Sequence, residues 1–425
     1  MKHGDKTAVE KARRARERNQ HLARVLGLVV IVAVAFVAGF LVRGEGAFLA
    51  TLGFPTAGEE ANAPASGQAG KSTFDSVSAR VSEVEDVLAG NSVVSYDLDA
   101  ATAQALAAFS AATEDDYLTY FDPARYELYV RESAEDSHAG IGVLFSEYDG
   151  RAYVSDVFEG SSAAAQGVQQ GDFVAAIDGD DSHEWSMTET VKALSREDGA
   201  TAVVTWMRPS TQEADSGEEF TTTLECSTYA VPNVTTELAG TVGYIKLKQI
   251  TQNADDLVDE AVASLTAQGA TSFVLDIRDN PGGYLTQAVD VANLFVKSGV
   301  IVEIETLDGS TTKTATGAVA TDAPLVVLVN GYTSAAAEVL AAALQDNQRA
   351  QVVGTQTMGK GSVQVVRELS FGGALRYTAA YYKSPLGHDI DGVGVLPDKT
   401  VAAGSAASDA QKRLALETAE SLVQG

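Results

Sequence analysis

Leu325 to Gln364 reads LVVLVNGYTSAAAEVLAAALQDNQRAQVVGTQTMGKGSVQ. The apolar run Leu325 to Val329 is short and β-branched, as a buried strand requires. Asn330, Gly331, Tyr332 and Thr333 break it. From Ser334 to about Asp346, Val339, Leu340 and Leu344 share one face of a helix. Val352-Val353 leads into Gly359-Lys360-Gly361. Strand, sharp turn and helix present a turn residue at a helix N-terminus, where free backbone N–H groups can hold an anion. A lysine flanked by glycines can approach closely and, if desolvated, act as a general base.

This stretch resembles the carboxyl-terminal processing peptidases, or tail-specific proteases. The resemblance rests on Asn330-Gly331, Glu338, Ala342 to Asp346, Arg349-Ala350, Val353-Gly354 and Gly359-Lys360-Gly361-Ser362-Val363-Gln364. It implies a Ser/Lys-dyad endopeptidase with an inserted PDZ domain, with Lys360 as the base and Gln364 as the residue that orients it. The family's nucleophilic serine stands three residues before the glutamate. Here that position is Ala335, preceded by Ser334. An alanine cannot attack a carbonyl. Neighbouring helix positions diverge by roughly 100°, so Ser334 would point away from the usual direction of attack unless the turn is re-registered. Three readings stay open: a naturally inactive homologue, a deliberate Ser-to-Ala change, or an active enzyme using Ser334.

Ser272 to Ile277 is a further apolar strand, followed by Arg278-Asp279-Asn280-Pro281-Gly282-Gly283. Glycines at a strand end let backbone amides face a ligand. By the same resemblance, Gly282 or Gly283 supplies one oxyanion-hole N–H and Ala336 the other. Strands at Val242 to Leu247, Val300 to Glu305 and Ala374 to Tyr382, with a helix at Ala254 to Ala267, would complete an α/β core. Pro385 to His388 and Gly392 to Asp398 match the family's closing segment, so the resemblance spans roughly Ser72 to Val401.

Gly140-Ile141-Gly142-Val143 opens a region of PDZ character. In PDZ domains such a loop offers N–H groups to a C-terminal carboxylate, and the next strand pairs with the peptide. Ala152 to Phe158 reads as a strand and Ser162 to Gln166 as a short helix. Gly171 to Gly179 is close to the G-D-x-I-x-x-I-x-G pattern, with Val174 in place of the first Ile, and helix Met187 to Leu194 would form the other groove wall. Cys226 is the single cysteine, which excludes an intrachain disulfide; its alternating surroundings read as a strand with the thiol buried.

The formal net charge of −28 argues against nucleic-acid binding, which needs a basic footprint. The first 24 residues are the basic exception, and they precede the apolar run VLGLVVIVAVAFVAGFLV, Val25 to Val42, between Arg24 and Arg43. No A-x-A cleavage pattern follows it. We read it as an uncleaved single-pass anchor in the cell membrane, with the basic end in the cytoplasm and the body outside. Ala35 and Gly39, a small-xxx-small pair, leave a homo-oligomer open. A linker, Thr56 to Gly70, is followed by a helix expected from Ser72, with Asp75 completing a capping box and Gly90 ending it. A second helix covers about Ala100 to Ala112.

The histidines, His3, His21, His138, His183 and His388, form no H-x-x-x-H pair. A zinc site has little support, and no cofactor is expected. His138 and His183 read as surface residues. The expected organisation is a basic arm (1–24), an anchor (25–42), a linker (43–71), an N-terminal helical part of the core (72–130), a PDZ domain (131–230) and an α/β peptidase core (231–425). The expected partners are proteins or peptides with free C-termini and, through the anchor, a membrane. The alternative function is an inactive homologue that binds peptides or proteins.

Overall fold

The computed structural model describes residues 76–113, 115–130, 139–210, 216–229, 231–402 and 409–423. The expected arm, anchor and linker, Ser72 to Asp75, and His138 lie outside them. Among the described residues no helix is long and apolar enough to cross a membrane. The chain divides into two units, Met1–Tyr96 and Asp97–Gly425. The first contributes α1 (Val77–Asn91), whose N-cap is Ser76, not Ser72: its Oγ accepts the Ala79 N–H at 3.2 Å. The helix continues through Gly90 rather than stopping there. Its apolar residues Val77, Val81, Val84 and Leu88 are exposed.

The second unit opens with α2 (Leu98–Ala111), β1 (Thr119–Phe121) and α3 (Pro123–Val130). Next come β2 (Ala139–Gly140), β3 (Val143–Tyr148), β4 (Arg151–Val157), α4 (Ser162–Ala165), β5 (Phe173–Ile177), α5 (Met187–Leu194), β6 (Thr201–Pro209), β7 (Gly217–Glu225) and β8 (Ser227–Thr228). Strands β3 to β7 form an antiparallel sheet in sequence order, so β3 is an edge. Its core holds Ile141, Val154, Trp185, Leu194, Trp206, Leu224 and the buried Cys226. Gly142 has φ +87°, and a Cβ there would lie 2.1 Å from Ser161 Cβ. Only glycine fits, because the loop is pressed against the start of α4.

The remainder is β9 (Val234–Ala239), β10 (Val242–Leu247), α6 (Ala254–Ala267), β11 (Ser272–Asp276), α7 (Leu285–Asn293), β12 (Val300–Thr306), β13 (Gly309–Thr314), β14 (Leu325–Val329), α8 (Ala336–Asp346), β15 (Ala350–Gly354), β16 (Ser362–Glu368), β17 (Ala374–Lys383), β18 (Lys399–Thr400) and α9 (Ala410–Ser421). The central sheet has the order β18-β15-β14-β11-β10-β9 and is parallel except for β9. Every residue of β11 and β14 is buried, as expected for strands covered on both faces. Phe273, Leu275, Leu325, Val327 and Val329 face a core shared with α6, α7 and α8. Val274, Val326 and Leu328, the alternate residues, face α9 through Ala415 and Ala419.

Two of the expected core strands form at the expected places and belong to a second sheet. β12 and β17 do not extend the parallel sheet; with β1, β13 and β16 they build a separate antiparallel one. β1 pairs Thr119 with Arg376 across the whole PDZ insertion, a distance over which short-range pattern carries no signal. The arrangement that matters for function is in the parallel sheet. β11, β14 and β15 are adjacent, and the segments leaving their carboxyl ends are Arg278 to Gly283, Asn330 to Ala335 and the stretch leading to Lys360. Crevices beyond such strand ends are where α/β sheets bind ligands.

Because Gly142 has neither room for a side chain nor an ordinary φ, Gly142→Ala should destabilise the PDZ unit by about 1–3 kcal/mol. Urea denaturation compared with a Gly160→Ala control, where nothing lies within 4 Å of the added Cβ, checks this. Equal loss in both variants would refute the steric account.

Candidate active site

Ala335 joins β14 to α8 with φ 53° and ψ −122°. A non-glycine residue pays about 1–3 kcal/mol for such a backbone and keeps it only where its surroundings impose it. A strained strand-to-helix turn is how some hydrolases lift a nucleophile's side chain above the sheet. Ala335 is partly exposed, whereas Ser334 is fully buried and its Oγ has no hydrogen-bond partner among the described residues. The expected divergence of the two positions is therefore present, and it is Ser334 that turns inward. Its N–H donates to Asn280 O at 3.0 Å.

The turn is held by one carboxylate. Glu338 Oε2 accepts the N–H of Ala335 at 2.9 Å and that of Lys360 at 2.8 Å. Its Oε1 accepts the Thr357 hydroxyl at 2.5 Å and the Gly359 N–H at 2.7 Å. A single fully buried side chain thus ties the turn at position 335 to the lysine loop. Desolvation pushes the Glu338 carboxyl up to about 7, against the lowering effect of Thr357, Gly359, Lys360 and Ala335. A serine at 335 would have completed an S-x-x-E capping box; the glutamate's half of that motif survives here.

The Lys360 side chain meets a group that sequence reasoning missed. Its Nζ lies 3.7 Å from Glu147 Oε1, on β3 of the PDZ unit, and 5.2 Å from the centre of the Tyr117 ring. Glu147 is buried and also receives both Arg376 Nη1 contacts, at 3.2 and 3.1 Å, and the Met187 N–H at 2.8 Å. Burial alone would raise the Glu147 carboxyl, but Lys360 and then Arg376 outweigh it and hold it below its ordinary value. Burial lowers the Lys360 ammonium, with Glu147 opposing. Gln364 does not reach this pair: its Nε2 donates to Ser362 Oγ at 3.0 Å. The expected orienting role is not present in this arrangement, because Gln364 lies on β16 next to a nearer hydroxyl acceptor.

The glycine loop separates its two candidates. The Gly282 N–H is taken by Asn280 Oδ1 at 2.9 Å. Gly283 N–H and Ala336 N–H have no acceptor among the described residues, and a Cβ on Gly282 would lie 2.9 Å from Ala336 N. Of the residues expected to form an oxyanion site, Gly283 and Ala336 retain free donors, and Gly282 serves as spacer. Asn280 is fully buried, and its Nδ2 donates to Leu247 O at 3.0 Å. The PDZ unit touches every segment of the site. Gln170 Nε2 meets Asp279 Oδ1 at 2.6 Å, Tyr153 OH meets Met358 Sδ at 3.2 Å, and the Tyr153 and Tyr332 ring centres lie 6.1 Å apart.

In the PDZ unit, Ile141 is buried and its carbonyl accepts the Ala163 N–H at 3.1 Å, while the Gly142 carbonyl accepts that of Phe158 at 2.9 Å. Gly140 pairs with Ser227, and Val143 starts edge strand β3. Val191 on α5 is exposed. His183 is half-buried rather than a fully exposed surface residue: its side chain is 14% exposed, lies 3.8 Å from Glu189 Oε1 and packs at a tilt against the Trp185 ring. Among the described residues no group of three or more His, Cys, Asp or Glu could hold a metal.

The Glu338 geometry gives a signed pH dependence. A carboxyl raised in the folded state contributes stability that is present below the unfolded value, 4.5, and lost as pH rises through about 7. Glu338→Gln removes that titration. Urea midpoints should show the wild type losing stability relative to Glu338→Gln between pH 5 and pH 8; a pH-independent difference would refute it.

Comparison with known proteins identifies the family and the fold. The model of Peptidase family S41 matches residues 241–401, and that of the PDZ domain residues 130–205. A carboxyl-terminal-processing protease of Synechocystis is 36% identical over 296 residues, covering 68% of this chain and 69% of the relative. One from Picosynechococcus is 35% identical, covering 70% and 72%. Among solved structures, a photosystem II D1 C-terminal processing protease superposes with TM-score 0.62 at 28% identity, covering 75% of this chain and 86% of that one. By sequence and by fold, the chain belongs to peptidase family S41, the carboxyl-terminal-processing serine proteases that carry a PDZ domain.

Proposed function

We propose that this is a Ser/Lys-dyad endopeptidase scaffold that recognises protein tails through its PDZ domain, and that the chain as written binds them without cutting. The observation that carries this reading is Ala335: a strained, partly exposed residue beside the free N–H groups of Gly283 and Ala336. Acyl transfer needs a nucleophile, a base to take its proton and donors for the oxyanion. Position 335 is the nucleophile's place, Lys360 is the base, and Gly283 with Ala336 forms the oxyanion hole. A serine Oγ at 335 would add to the scissile carbonyl as Lys360 takes its proton. Lys360 would then protonate the leaving amine, and water would release the acyl group.

Only the nucleophile is missing. Ser334 cannot replace it, since its Oγ is buried and no base lies within hydrogen-bond reach. Ala335→Ser should therefore gain hydrolysis of an unfolded protein, and adding Lys360→Ala should remove it. Activity in the unaltered chain that Ser334→Ala abolishes would overturn the assignment.

The buried lysine fixes the pH profile. Its folded value is lowered, so the deprotonated form is reached below the ordinary lysine range and kcat/KM of Ala335→Ser should rise as Lys360 loses its proton. Glu147 favours the charged lysine, so Glu147→Gln in that background should move this limb to lower pH; an unmoved limb would show that the pair does not control the base.

The tail site is the Gly140 to Val143 loop with the open edge of β3 and the wall formed by α5. Peptides with a free apolar C-terminus should bind, and amidation should weaken them several-fold; equal affinity by calorimetry would remove this part of the reading. The anchor at Val25 to Val42 would hold the body outside the cell membrane. Protease added to intact cells should then digest the body and spare the basic arm.

A further inference from the structure

We infer that Asp409, at the start of C-terminal helix α9, is a positioning residue for the Gly282-Gly283 loop and acts through Arg278; its effect on turnover rests on the peptidase reading above. Arg278 opens that loop, and its guanidinium contacts β11 and α9. Its Nη1 and Nη2 reach Asp409 Oδ1 and Oδ2, both at 2.9 Å, and Nη1 reaches Gln411 Oε1 at 3.2 Å. On the other side its Nε lies 3.0 Å from Asp276 Oδ1, and its Nη2 lies 2.7 Å from Asp276 Oδ2. Asp276 is fully buried at the end of β11 and also accepts the Tyr244 hydroxyl. The guanidinium therefore bridges the last residue of a core strand and the first turn of a helix from the far end of the chain. Two-pronged pairing fixes its plane as well as its position.

The fixed plane matters because of the next residue. Asp279 has φ +65°, a backbone that a non-glycine residue keeps only under constraint from both sides. Downstream, Asn280 supplies that constraint through Leu247 O and the Gly282 N–H. Upstream, Arg278 supplies it. Without Asp409, Arg278 keeps its short-range contact with Asp276 and a single contact with Gln411, but loses its charged two-pronged tie to the start of α9. Asp279 can then relax, and the Gly283 N–H moves with the loop. Asp279 also receives Asn330 Nδ2 at 2.7 Å and gives its N–H to Asn330 Oδ1 at 3.0 Å, so the turn before position 335 feels the same release.

Asp409→Asn isolates this effect. Asp409 also caps α9, its Oδ1 accepting the Lys412 N–H at 2.8 Å, and asparagine caps a helix as well as aspartate does. The variant removes the charged two-pronged pair and leaves the cap. In the chain as it stands, hydrogen exchange of residues 277–284 should accelerate by about tenfold or more while 410–421 stays protected. Unchanged exchange in 277–284 overturns the inference, and so does equal acceleration in both segments, which would mean general loosening. In the Ala335→Ser background, Asp409→Asn should lower kcat by about tenfold to a hundredfold, short of the loss of a whole oxyanion donor, with KM within about twofold. An unaltered kcat also overturns it. If Ala335→Ser itself is inactive, the peptidase reading fails, and the exchange measurement still decides whether Asp409 positions the loop.

Discussion

The site depends on the buried carboxylate of Glu338. Four donors converge on it, and two are the backbone N–H groups of Ala335 and Lys360, the positions proposed above for nucleophile and base. A fully buried carboxylate is costly unless every oxygen is satisfied. Here the donors are backbone N–H groups and a hydroxyl, none of which brings a compensating charge. That explains why the carboxyl stays raised despite four bonds. The left-handed turn at Ala335 persists because its amide is committed to this anchor and the preceding residue is committed to Asn280.

The parallel core was legible in the sequence where hydrophobic pattern is strongest. Val242–Leu247 and Ala254–Ala267 match the expected ranges, and β14 and α8 fall where the apolar run and the helical face indicated. The second sheet was not legible, because β1 finds β17 only after the whole PDZ insertion has been bridged. The site was legible in part. Lys360, Gly283, Ala336 and the significance of position 335 followed from local motifs. Glu147 and Arg376 did not: they matter through contacts with residues distant in sequence, and no periodicity marks an isolated acid or base. Gln364 shows the converse, a motif residue whose side chain turns to a nearby hydroxyl.

Among the described residues, the carboxylate within ion-pair distance of the Lys360 ammonium is Glu147, which lies in the inserted unit. Glu147 is also clamped by Arg376 from the second sheet. Three pieces of the chain, the PDZ sheet, the antiparallel sheet and the lysine loop, thus meet in one charged cluster. Moving any of them changes the electrostatic surroundings of the candidate base before it changes the backbone at position 335.

The pairing of Thr119 with Arg376 also bears on how the chain reaches its fold. During synthesis β1 leaves the ribosome well before β17 exists, so it waits without a partner while the PDZ unit completes its own sheet from sequential hairpins. Closing so long a loop is slow when long-range pairing dominates, and an unpaired strand is a template for wrong partners until it is covered. β1 is only three residues long. That brevity makes it a poor template during the wait, while Phe121, fully buried at its end, still locks the closed form once β17 arrives.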